Sequence, residues 1–79
     1  MNGDILSEVC GVAADVFAID ALSLTGASSP EQIEAWDSVQ HLSLVLALED
    51  KYGIQFAPEE MERMKDLGAI ATLVRTKIT

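Results

Sequence analysis

Apolar positions in the first eighteen residues recur with a helical period. At about 100° per residue, Ile5, Leu6, Val9, Cys10, Val12, Ala13, Val16 and Phe17 fall within an arc of roughly 160°. Asp4, Ser7, Glu8, Gly11, Ala14, Asp15 and Ala18 take the other side. The pattern predicts an amphipathic helix over residues 4–18, which Gly11 weakens by about 1 kcal/mol relative to alanine. No period is sustained through residues 19–37. Thr25-Gly26-Ala27-Ser28-Ser29-Pro30 is a cluster of chain breakers, and the stretch reads as a long connection anchored by Leu22, Leu24, Ile33 and Trp36. Within it, Pro30-Glu31-Gln32 is set to start a short helical turn with Ser29 as cap.

A second helix is predicted from Ser38 to Tyr52, and its pattern differs from the first. Val39, Leu42 and Leu46 lie on one flank and Leu44, Val45, Leu48 and Tyr52 on another. Only the arc of Gln40, Ser43, Asp50 and Lys51, interrupted by Ala47, is polar. A helix apolar around so much of its circumference is central to a bundle or offers apolar groups to a partner. Asp37 is a good N-cap, Gln40 is spaced to complete a capping box, and Gly53 supplies the stop.

Ile54-Gln55-Phe56 then reads as extended, with both apolar residues on one side. Pro58 opens a brief third helix, residues 59–64, acidic at its start and poorly capped by Ala57. A last helix over residues 67–78 has Leu67, Ile70, Ala71, Val74 and Ile78 as its stripe, Asp66 as cap, and Arg75 and Lys77 where the dipole favours cations. These elements predict an all-α four-helix bundle with a long first loop and a short third helix, a single domain spanning residues 1–79.

Composition narrows the class of function. A chain near this size buries only ~60–65% of its unfolded surface, leaving a thin core with little room for an enclosed active site. The net charge of −8 argues against nucleic acid and anionic membranes, while 49% hydrophobic residues exclude a disordered acidic tail. No basic leader precedes an apolar stretch and no apolar run approaches ~18 residues, so a soluble, cytoplasmic protein without membrane insertion is expected. The charge is uneven. All of the lysines and arginines, Lys51, Arg63, Lys65, Arg75 and Lys77, lie in residues 51–79, whereas residues 1–50 hold nine acids. A negative field around residues 37–50 would steer basic partner surfaces there, although surplus acid also serves solubility.

Chemistry concentrates at Ser38. Its hydroxyl sits in the first turn of the second helix, among N–H groups that lack intrahelical partners, where a covalently attached phosphate is well tolerated. His41, the single histidine, is one turn on, but no acid is placed to orient it as a base, and a solvated ring is the simpler reading. Cys10 lies on an apolar face and reads as a small buried hydrophobe. No Cys/His cluster has metal-ligand spacing, and no twelve-residue calcium loop occurs.

Taken together, Asp37-Ser38-Val39, Leu42, Leu44-Val45-Leu46-Ala47-Leu48-Glu49, Tyr52-Gly53-Ile54, the acidic Pro58-Glu59-Glu60 turn and the final amphipathic helix resemble the acyl carrier proteins over nearly the whole chain. The resemblance implies a right-handed four-helix bundle without enzymatic activity. It implies that a phosphopantetheinyl transferase moves 4′-phosphopantetheine from coenzyme A to Ser38, and that the arm's thiol holds acyl groups as thioesters for other enzymes. It further implies that Val39 and Leu46 touch those enzymes, and that Leu44, Leu48, Phe56 and Met64 line a cleft for the acyl chain. Leu44 and Leu48 are core residues in any bundle. The acids left to steer acyl-loading and acyl-processing enzymes with basic surfaces are Glu49, Asp50, Glu59, Glu60 and Glu62.

Some positions depart from the family's commonest pattern. Gln40 and Ser43 stand where carriers of primary fatty acid synthesis usually have acids, and Ala35-Trp36 where glycine-containing turns are usual. The first weakens the expected electrostatic match to the enzymes of primary synthesis, and the tryptophan looks more like discrete carriers of specialised lipid, polyketide or cell-envelope pathways. The partner enzymes expected are those of fatty acid, specialised lipid or polyketide synthesis. Met1 and the stop just after the last helix suggest a free-standing protein, and a monomer is expected. Two alternatives stay open. One is an aminoacyl or peptidyl carrier with the same arm. The other is an unmodified helical interaction module in which Asp37-Ser38 is merely a cap.

Overall fold

The computed structural model describes residues 4–78. Four α-helices make up the fold: α1 (Ile5–Phe17), α2 (Ser38–Tyr52), α3 (Pro58–Met61) and α4 (Leu67–Ile78), with no strand among the described residues. No helix of the described residues is long and apolar enough to cross a membrane. Helix α1 packs against both α2 and α4, and Val9, Leu44, Val45, Leu48, Leu67, Ile70 and Val74 fill the centre almost without exposure.

Local chemistry sets the helix ends. The Asp4 carboxylate accepts the Leu6 N–H at 3.1 Å to start α1. At the other end Ala18 adopts φ 57° and ψ 45°, and the N–H groups of Ala18 and Ile19 both reach the Ala14 carbonyl. Gly53 ends α2 in the same left-handed conformation, with φ 65°. Glu60 caps α3 backwards, its carboxylate accepting the Ala57 N–H at 2.7 Å, so alanine's lack of a side-chain acceptor is offset.

The connection from α1 to α2 is tied down along its length. Asp20 caps a 3₁₀ turn at Ala21–Ser23 through the Leu22 N–H. Further on, the carbonyls of Ser28 and Gly26 accept the Leu67 and Gly68 N–H groups at 3.0 and 2.9 Å. Together with Asp66, which accepts the Ala69 N–H at 2.8 Å, they satisfy the first turn of α4. The approach is close enough that a Cβ on Gly68 would stand 3.0 Å from the Gly26 carbonyl oxygen. Trp36 closes the connection, 3% exposed, with its ring centroid 5.3 Å from that of Phe17.

The structure corrects several expectations. Leu22 does not anchor the loop: the 3₁₀ turn projects it outward, 91% exposed, while Leu24, Ile33 and Trp36 pack inward. Ala14, assigned to the polar side of α1, is buried, because it borders the apolar stripe and its small side chain is readily covered there. On α4, Leu73 joins the core and Ile78, the last residue of the helix, is 41% exposed. The third helix covers Pro58–Met61 only, and the chain turns before Met64, which is buried outside any helix. The stretch after Ser29 forms a turn whose Gln32 and Ile33 N–H groups reach the Ser29 carbonyl, without becoming a helix.

Candidate functional site

Ser38 is the first residue of α2 and is exposed. Asp37 precedes it in extended conformation and accepts the Gln40 N–H at 2.9 Å, while its carbonyl accepts the His41 N–H at 2.8 Å. Gln40 makes no return bond, so only the aspartate half of the anticipated capping box forms. The N–H groups of Ser38 and Val39 have no protein partner among the described residues. Two unpaired donors beside an exposed hydroxyl, at the positive end of a four-turn helix, favour an anion attached there.

An open depression of about 500 Å³ lies against this serine, lined by Pro30, Trp36, Asp37, Ser38, His41 and Met64. The Trp36 Nε1–H donates to His41 Nδ1 at 2.9 Å, and the two rings lie 17° apart in plane with centroids 6.0 Å apart. His41 is therefore not the solvated ring its sequence position suggested. Burial of this imidazole pushes its pKa below the ordinary value of 6.5. Sequence reasoning missed this pair because its members straddle a helix cap, where neither helical nor strand periodicity applies. The usable signal is chemical: a tryptophan buried beside a helix start needs an acceptor for its N–H.

The two flanks of α2 separate as their spacing indicated. Leu44, Val45 and Leu48 are buried, whereas Val39, Leu42 and Leu46 are 73%, 52% and 55% exposed. Of the four residues assigned to an acyl cleft, Leu44, Leu48 and Phe56 sit in the core, and Met64 alone also faces the depression by Ser38. The acids divide as well. Glu49 accepts the Phe56 N–H at 2.9 Å, and Glu60 both caps α3 and pairs with Lys77 at 2.8 Å. Its bonds to the Ala57 N–H and to Lys77 hold the Glu60 carboxyl below the usual range. Asp50, Glu59 and Glu62 are exposed and form the outward acidic surface. Burial first, and the Asp4 charge second, push the buried Cys10 thiol up and away from reactivity. Among the described residues no His, Cys, Asp or Glu group is arranged to hold a metal ion.

No protein-family model matches the chain. It is 29% identical over 78 residues to the acyl carrier protein of Thermosynechococcus vestitus, an alignment covering 98% of this chain and 95% of that one. Among solved structures, the solution structure of holo acyl carrier protein from Geobacter metallireducens is 37% identical and superposes with a TM-score of 0.85, over 92% of this chain and 84% of that chain. The acyl carrier protein of Enterococcus faecalis, 24% identical, superposes with a TM-score of 0.74 over 92% of each chain and speaks for the fold alone.

Proposed function

This chain belongs to the acyl carrier protein family, and from that premise we propose that Ser38 bears a 4′-phosphopantetheine arm. The protein is a carrier of acyl groups for other enzymes and performs no catalysis itself. The observation that carries the assignment of Ser38 is its exposed position beside two unpaired backbone donors and the open depression. The residues fit the group: hydroxyl, donors and space coincide, and the neighbour from Geobacter metallireducens is a holo form. When attached, the arm supplies a thiol that holds acyl groups as thioesters.

The chain's own residues have distinct parts in this reading. Asp37 fixes the start of α2, and with it the direction in which Ser38 presents its oxygen to a phosphopantetheinyl transferase. Val39 and Leu46 offer apolar contact to that enzyme and to acyl-loading and acyl-processing enzymes, while Asp50, Glu59 and Glu62 attract their basic surfaces. Met64 both lines the depression and belongs to the core cluster that holds Leu44, Leu48 and Phe56, so an acyl chain seeking shelter would enter past it. The partner enzymes belong to fatty acid, specialised lipid or polyketide synthesis, with Trp36 leaning towards the discrete carriers of specialised pathways. We take the protein to be one acyl-carrier domain, acting as a cytoplasmic monomer.

Intact mass after incubation with coenzyme A and a broad-specificity phosphopantetheinyl transferase tests the assignment. A gain of one phosphopantetheine, lost in Ser38→Ala, is the expected result. No gain, with a known carrier modified alongside, points instead to an unmodified helical interaction module or to a dedicated transferase, and no gain with a transferase from the same source overturns the assignment.

A further inference from the structure

We propose that His41 positions the arm by donating a hydrogen bond from Nε2–H to its phosphodiester. The inference rests on Ser38 as the attachment residue and adds a donor that the backbone alone does not provide. Indole nitrogen is donor only, so the 2.9 Å contact from Trp36 Nε1 requires His41 Nδ1 to be unprotonated. The proton of the neutral ring is then on Nε2, which has no protein partner among the described residues. Lowering of the imidazole pKa by burial keeps the ring in this neutral form near neutral pH.

Three further observations direct Nε2–H towards the arm. His41 follows Ser38 by three residues and so shares its helix face, and both line the same depression. The ring is held by a tryptophan that is itself fixed, 3% exposed and packed on Phe17. The remaining lining residues offer no free side-chain donor: Pro30 and Met64 have none, Trp36 Nε1–H is occupied, and the Ser38 hydroxyl becomes the ester oxygen. Asp37, on the same rim, repels a phosphodiester. A donor one helical turn further along α2 therefore selects where the phosphate rests.

The test uses the full chain, wild type and His41→Asn, each loaded from coenzyme A with loading confirmed by mass. Asparagine keeps an acceptor near the Nδ1 position for Trp36 but cannot place a donor where Nε2 stands. In wild type, the ¹⁵N resonances of the ring should report Nε2–H before loading, and Nε2 should shift on loading. The ³¹P resonance of the arm should differ between wild type and His41→Asn, with Trp36 emission unchanged between them. An unmoved Nε2 resonance on loading overturns the inference even if the variant fails to fold. So does a ³¹P resonance identical in the two proteins. Failure of the wild-type protein to gain mass at Ser38 overturns the attachment reading itself, and the inference with it.

Discussion

The phenol of Tyr52, the last residue of α2, donates a 2.6 Å hydrogen bond to the Glu8 carboxylate in the first turn of α1. Burial, the hydrogen bond and the Glu8 charge together hold this phenol well above its ordinary value of 10.0. A group raised in the folded state favours folding while protonated. Its contribution is complete below the ordinary phenol value and is lost as pH climbs towards the higher folded one. Tyr52→Phe should cost about 1 kcal/mol in urea unfolding at neutral pH, the usual net worth of an intramolecular hydrogen bond, since partial exposure offsets the gain from the charged acceptor. It should also flatten the decline in stability above the ordinary phenol value. An undiminished decline in the variant would assign that alkaline loss to other groups.

Acid acts on the opposite end of α2. His41 is depressed below 6.5, so the unfolded chain takes up the proton first as pH falls. Stability from this site is complete above 6.5 and is lost as pH falls through the folded value. Protonation also puts a hydrogen on Nδ1 and removes the acceptor for Trp36. Trp36 is the sole tryptophan, so its emission reads the site directly. Emission should change with a midpoint below the ordinary imidazole value, and His41→Asn should abolish the step. A step that persists in the variant would trace to another group.

Ala18 holds a left-handed conformation that costs an L residue about 1–2 kcal/mol relative to glycine. Part of that cost returns when glycine widens the unfolded ensemble, by about 0.4–1 kcal/mol. Ala18→Gly should therefore raise stability by about 0.5–1 kcal/mol, read as a shift of the urea midpoint at constant slope. A destabilised variant would contradict the conformational argument.

Ala18 also marks where the sequence stops being legible. Local chemistry announces its own element: Asp37 and Gly53 bound α2 at the predicted residues, and the exposed flank of Val39, Leu42 and Leu46 follows from spacing alone. The position of Ser38 follows from the same cap. What depends on distant partners is not readable. No local signal marks alanine for the left-handed cap, Leu22 looks like an anchor until the 3₁₀ turn aims it outward, and α3 ends after Met61 because the chain dives to bury Met64. Trp36 and His41 meet only once α1 supplies Phe17 as a wall.

Asp37 caps α2, and two substitutions separate that structural part from any part its charge takes in recognition. Asp37→Ala removes the acceptor for the Gln40 N–H and should cost about 1 kcal/mol, the usual worth of an N-cap. Asp37→Asn keeps that acceptor and should unfold within about 0.5 kcal/mol of wild type. If both are phosphopantetheinylated at the wild-type rate, the carboxylate charge has no part in transferase recognition. A slowed Asp37→Asn, with its stability intact, assigns the charge to recognition.

Leu46 and Leu48 stand two residues apart on α2, one exposed and one buried. Leu48 is fully buried, and truncation to alanine should cost about 2–5 kcal/mol by loss of burial and the cavity left behind. In a domain of this size that is much of the total stability, so Leu48→Ala should be partly unfolded at room temperature. Leu46 is 55% exposed, and Leu46→Ala should stay within about 0.5 kcal/mol of wild type. Its effect should appear instead as a several-fold fall in kcat/KM for loading by the transferase, with unfolding unchanged. Raised salt weakens attraction between exposed charges but not apolar contact, so the deficit of Leu46→Ala should persist at high ionic strength. A deficit that vanishes with salt would place the recognition in Asp50, Glu59 and Glu62, and a Leu46→Ala loaded like wild type would remove this leucine from the docking face.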